Sequence, residues 1–111
     1  MDAMPFEITP LEAKQKWQAG EAVLIDVREK GEHQIASIEG AELIPMGTVP
    51  QRLPHLEELA DENLVVVFCH HGVRSLNVVN WLRQHGVAEC VSMAGGIDRW
   101  TTMVDPAVPR Y

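Results

Sequence analysis

Cys69 and Arg74 are the residues of this chain best suited to chemistry, and they stand in one short stretch, Cys69-His70-His71-Gly72-Val73-Arg74-Ser75. A cysteine is a strong nucleophile as its thiolate, and a guanidinium keeps its charge and its several donors at any working pH. Before the stretch runs an unbroken apolar segment, Leu64, Val65, Val66, Val67 and Phe68, the pattern of a strand buried on both faces of a parallel sheet. After it a helical pattern begins, at about Arg74 and Ser75. Cys69 is therefore expected at the carboxyl end of a central strand, where open α/β sheets place their chemistry. The helix N-terminus beyond it offers free amides and a positive dipole end, which favour thiolate over thiol. Gly72 lets the loop turn without a Cβ clash. His70 and His71 are expected to add donors or positive charge, and Ser75 to cap the helix. The whole reads as an amide-lined cup, with Cys69 as nucleophile and Arg74 closing the far side, suited to an anionic sulfur species or an oxyanion.

The elements that must hold this cup alternate along the chain. A short strand around Phe6 to Ile8 precedes a helix opened by Thr9, Pro10 and Glu12, a capping box with proline at the first helical position. Leu11 and Trp17 mark its apolar side, and Gly20 stops it. Residues 22–27 read as a second buried strand ending in charge: Asp26, Arg28, Glu29, Lys30 and Glu32. A carboxylate so near the core needs a partner, so Asp26 and Arg28 read first as a structural ion pair, with Arg28 as a second anion contact as the other reading. A short helix over 32–36, a third strand over 41–44, and a loop with helical turns through 48–58 lead into the central strand. Leu76, Val79 and Leu82 give the helix over 75–85 its apolar face, residues 90–93 form a last strand, and a closing helix starts at Gly95 and Gly96. Strand and helix in alternation predict a parallel sheet with helices on both faces. Residues 104–111 read as an extended tail.

Composition narrows the classes. At 111 residues the chain is expected to be one domain, 1–111, and its net charge of -7 argues against a nucleic-acid or anionic-membrane partner. Cys69 and Cys90 make no disulfide framework, residues 1–10 lack a secretory pattern, and no apolar run reaches a membrane span, so a reducing, cytoplasmic setting is expected. Cys90, inside a strand, reads as a small core hydrophobe. Cys69, His70, His71 and His85 lack metal-ligand spacing, and neither metal nor cofactor is expected.

The stretch from Cys69 to Ser75 resembles the active-site loop of the rhodanese-like sulfurtransferases. The likeness extends to Asp26-Val27-Arg28, to Ile38, Gly40, Ala41, Ile44 and Pro45, and to the pair Gly95-Gly96 followed by Trp100, covering residues 6–103. Ala36 and Ser37 stand where that family usually has glycine and histidine, and Leu43 where it has asparagine. The resemblance implies a three-layer fold with a central, mostly parallel five-stranded sheet and helices on both faces. It implies a core over 6–103 followed by the tail, and sulfur carried on Cys69 as a persulfide. Cys69 and Arg74 are then the catalytic residues, with His70, His71, Gly72, Val73, Ser75 and Arg28 at the substrate. The partners implied are a small anionic sulfur donor such as thiosulfate and an acceptor that is cyanide, a thiol or a protein cysteine. Related phosphatases carry one more residue between Cys and Arg, and the shorter loop favours sulfur over phosphate. A phosphatase or arsenate reductase on the same kind of loop, and a sulfur-relay module without independent turnover, are the alternatives.

Overall fold

Five strands form one sheet in the order β1-β5-β4-β2-β3, and every neighbouring pair is parallel. These are β1 (Glu7–Ile8), β2 (Ala22–Asp26), β3 (Glu42–Leu43), β4 (Leu64–Phe68) and β5 (Cys90–Met93). The helices are α1 (Pro10–Gln18), α2 (Lys30–Ile35), α3 (Leu53–Glu62), α4 (Val73–Gln84) and α5 (Gly96–Met103), with single 3-10 turns at Met46–Thr48 and Pro50–Arg52. The structure, a computed structural model, describes residues 5–111; the first four residues of the stretch read above for a secretory pattern lie outside the described residues.

Alternation along β4 explains the three layers. Val66 and Phe68 face the side covered by α1 and α5, packing with Leu24, Val91, Met93, Ile97 and Trp100. Val65, Val67 and then Cys69 face the side of α3 and α4, packing with Leu56, Val78, Val79 and Leu82. A strand with both faces covered has no room for polar side chains, hence its unbroken valines. On α1, Thr9 caps as expected: its hydroxyl accepts from the Glu12 amide at 3.1 Å while its own amide donates to the Glu12 carboxylate at 3.2 Å. The apolar side of α1 differs from the expectation. Leu11 is exposed, and Pro10 and Ala13 are the buried residues, with Trp17 meeting Trp100 edge to face at 6.0 Å between centroids. The segment 48–58, expected as a loop with one or two helical turns, holds the second 3-10 turn and the first six residues of α3, because Leu53 and Leu56 seat against the sheet.

At the end of β2 the ion pair is structural. Arg28 and Asp26 are both wholly buried. Arg28 Nε donates to Asp26 Oδ1 at 2.9 Å and Nη2 to Oδ2 at 2.7 Å. Its remaining donors go to the carbonyls of Glu32 (3.3 Å) and Ala36 (2.6 Å) and to the Tyr111 hydroxyl (3.0 Å). A guanidinium has five N–H groups, and all five are committed. The expectation of Arg28 as a substrate contact is therefore corrected: no donor is left for an anion, and the residue instead ties β2 to α2 and to the tail. His33 also turns inward and places Nδ1 3.0 Å from Asp26 Oδ2.

Arg28→Ala should lower the free energy of unfolding by about 3–5 kcal/mol, since it leaves the Asp26 carboxylate buried without its main partner. Denaturant melts followed by circular dichroism would read this, and a loss under about 1 kcal/mol would contradict the structural role.

Candidate active site

The helix that follows Cys69 lacks a capping side chain of its own. Its N-cap is Gly72, at φ +103°, a left-handed conformation that side chains resist. The sulfur of Cys69 fills the position instead. It accepts from the Gly72 amide at 3.1 Å and from the amide of Ser75, the third residue of α4, at 3.4 Å. A sulfur so placed does the work of a capping oxygen at the positive end of the helix. In the thiol state Cys69 donates to the Ser75 hydroxyl at 3.4 Å. One flank of the cysteine still packs among Val67, Val78 and Val79, so it is 1% exposed. The sulfur sits between hydrocarbon on one side and main-chain donors on the other.

What bends the loop this way is the start of α5. The amide of Ile97 donates to the Cys69 carbonyl at 2.9 Å, and that of Asp98 to the His70 carbonyl at 3.1 Å. With the first two carbonyls held, the chain turns back and brings the amides of Gly72 and Ser75 over the sulfur. Two glycines allow the approach. A Cβ on Gly72 would stand 3.2 Å from the Gly95 nitrogen, and one on Gly96 would collide with the carbonyls of Cys69 and His70.

Arg74 lies beside the cup but is not open. Its Nη1 and Nη2 grip the two oxygens of Glu32 at 2.7 and 2.9 Å. The Tyr111 hydroxyl donates to the same carboxylate at 2.7 Å. The Arg74 guanidinium in this fork, helped by Tyr111, holds the Glu32 carboxyl down to about 2, and Glu32 in turn raises Arg74 above its ordinary value. His70 is stacked between His71 and Tyr111, with 3.9 Å between centroids on each side. Its Nε2 is buried without a partner, and burial, with His71 beside it, holds it below its ordinary value. Burial thus works against the positive charge expected of His70. His71 and Val73 face solvent, Val73 among the most exposed apolar residues. Sequence reasoning missed Glu32, Tyr111 and Ser92, whose hydroxyl lies 2.7 Å from that of Ser75. Only Ser92 left a signal, as a polar residue inside an apolar strand. The tail is not simply extended: Val108 is buried, Arg110 pairs with Asp98 at 3.0 Å, and Tyr111 closes over His70.

His70, His71 and Asp98 bring three potential metal-ligating atoms within 4.8 Å. The two rings are stacked at 3.9 Å between centroids, and both Asp98 oxygens accept from Arg110. Cys90 is fully buried, and burial pushes its thiol up. It pairs with Val65, four residues short of Cys69 on β4, roughly 13 Å along the strand and beyond disulfide reach. Among the described residues no helix is long and apolar enough to cross a membrane.

The sequence pattern of the Rhodanese-like domain matches residues 9–103. The thiosulfate sulfurtransferase GlpE of Haemophilus influenzae is 38% identical over 110 residues, which cover 97% of this chain and 100% of that protein. The chloroplastic Rhodanese-like/PpiC domain-containing protein 12 of Arabidopsis thaliana is 38% identical over 92 residues, 82% of this chain but 31% of that one. The chain thus spans the full length of the first relative and about a third of the second. Among solved structures, a rhodanese-like domain protein of Staphylococcus aureus superposes with a TM-score of 0.78 at 30% identity, covering 96% of this chain and 99% of that one. A rhodanese-related protein of Thermoplasma volcanium gives 0.80 at 28%, covering 96% and 100%.

Gly96→Ala should cost roughly a hundredfold in the rate of Cys69 alkylation by iodoacetamide, because shifting the two held carbonyls misplaces the amides around the sulfur; an unchanged rate would contradict the clamp. Glu32 has a folded value of about 2 against an ordinary 4.5. Its pairing therefore stabilises the fold fully above about pH 4.5, and that contribution is lost as pH falls toward 2. Melting temperatures of Glu32→Gln should accordingly depend less on pH than wild type between those limits, and parallel curves would count against the pair.

Proposed function

The chain belongs to the Rhodanese-like domain family, and from that premise we propose that it is a sulfurtransferase that carries a sulfane sulfur on Cys69. The observation that carries this reading is the pair of main-chain amides, from Gly72 and Ser75, converging on Sγ at a helix N-terminus. Such donors are fixed before reaction and need no reorganisation when charge develops.

In the first half-reaction the Cys69 thiolate attacks the outer sulfur of a donor such as thiosulfate. The bond from that sulfur to the sulfonate sulfur breaks, sulfite leaves with the bonding pair, and Cys69 holds a persulfide anion. In the second, a nucleophilic acceptor (cyanide, a thiol or a protein cysteine) attacks the outer sulfur and the Cys69 thiolate returns. This is covalent catalysis by double displacement. Amides of the loop hold the charge in both states. Arg74 orients the anionic donor, which must share or displace Glu32 to reach the guanidinium. At 1% exposure the Cys69 sulfur offers almost no surface, so the donor enters as the neighbours of the loop shift, and the persulfide is then sheltered from water.

Intact-mass measurement after thiosulfate treatment should show one added sulfur atom, removed again by cyanide and absent in Cys69→Ala. Unchanged wild-type mass across thiosulfate and small persulfide donors would overturn the proposal. Arg74→Ala should raise KM for thiosulfate more than tenfold, since a charge-assisted contact is worth about 1.5–3 kcal/mol; an unchanged KM would remove Arg74 from donor binding.

A further inference from the structure

Ser92 is a polar residue where the fold asks for an apolar one. It sits in β5, paired with Val67 of β4, and its side chain lies on the same side of the sheet as Cys90 and Cys69. Like Ser75, it is wholly buried. A hydroxyl taken from water into such a place is unfavourable unless it is hydrogen-bonded. Among the described residues the Ser92 hydroxyl has one partner, the Ser75 hydroxyl at 2.7 Å. The Ser75 oxygen also lies 3.4 Å from the Cys69 sulfur and 3.2 Å from the Gly72 carbonyl. Sulfur, Ser75 and Ser92 therefore form a buried chain of two hydroxyls ending at Cys69.

Proton counting along that chain gives it two settings. With Cys69 as a thiol, S–H donates to Ser75, and the Ser75 proton points to the Gly72 carbonyl or to Ser92. With Cys69 as an anion, Ser75 must turn its one proton to the sulfur, and its oxygen is then left to accept. Among the described residues Ser92 is the group placed to supply that donor. We propose that Ser92 is a positioning residue: by donating to Ser75 it frees the Ser75 proton for the anionic sulfur of Cys69. The same two rotations serve a thiolate and a persulfide, so the device suits the sulfur-carrying cycle but does not depend on it.

Charged groups around the loop come from several elements. Arg74 of α4 is paired with Glu32 of α2, Arg28 with Asp26 at the end of β2, and Asp98 of α5 with Arg110 of the tail. His70 and His71 belong to the loop itself, and His33 of α2 faces Asp26. Ser92 touches none of these, so its removal leaves them in place.

The experiment is the pH dependence of iodoacetamide alkylation at Cys69, read on the peptide by mass spectrometry so that Cys90 does not contribute. It requires no sulfur donor, so it succeeds or fails apart from the sulfurtransferase reading. Ser92→Ala should move the midpoint of the rate profile up by about half a pH unit, roughly threefold less thiolate at a fixed pH below it. Ser75→Ala should move it further, by about one unit. The double variant should match Ser75→Ala alone, because Ser92 acts through Ser75. Should Ser92→Ala not fold, Ser92→Gly removes the same hydroxyl. An unmoved midpoint in the Ser92 variant, or a Ser92 effect that adds in full on top of Ser75→Ala, would overturn the proposal.

Discussion

Two hydrogen bonds at the start of α5 govern the site. By holding the carbonyls of Cys69 and His70, the amides of Ile97 and Asp98 decide which way the loop faces. A loop free of that clamp would have no reason to aim its later amides at its own first side chain. The clamp in turn requires Gly96, because only a residue without Cβ brings helix and loop close enough. A pair of glycines far along the chain thus shapes the environment of a sulfur more than twenty residues earlier, and the sheet that joins β4 to β5 keeps the two in register.

Electrostatics around the cup is compensated rather than open. Arg28 is consumed by Asp26, Arg74 is gripped by Glu32, Asp98 is matched by Arg110, and burial works against charge on His70. In a chain of net charge -7 there is no long-range field to draw in an anion. The donors aimed at the Cys69 sulfur are short and directed, the amides of Gly72 and Ser75 at a helix end, which suits the proposed sulfur-carrying role.

The fold was largely legible because parallel strands buried on both faces leave a plain mark. The valines of β4, the capping box of Thr9 and the break at Gly20 each speak through local physics. The positions of Cys69 and Gly72 were legible for the same reason, since a strand end and a tight turn are local events, whereas Ser75, expected as the helix cap, is the third residue of α4 and Gly72 is the N-cap. Partners distant in sequence were not. Glu32 meets Arg74 across 42 residues and Tyr111 meets Glu32 across 79, distances over which spacing says nothing. The Asp26–Arg28 ion pair was legible, but the second reading of Arg28 as an anion contact fails because its last partner lies in a tail that composition alone presents as extended. Leu11, exposed where helical spacing had it buried, shows the converse: periodicity gives a face, but packing decides how much of it is covered.

On the proposed function, the loop from Cys69 to Ser75 holds an anionic sulfur by its main-chain amides. A crystal structure of the protein after treatment with a sulfur donor tests it most directly. A second sulfur is expected on Cys69, enclosed by the loop, with the amides of Gly72 and Ser75 still directed at the disulfane unit. A second sulfur turned away from those amides, or found on Cys90 with Cys69 unmodified, would contradict it.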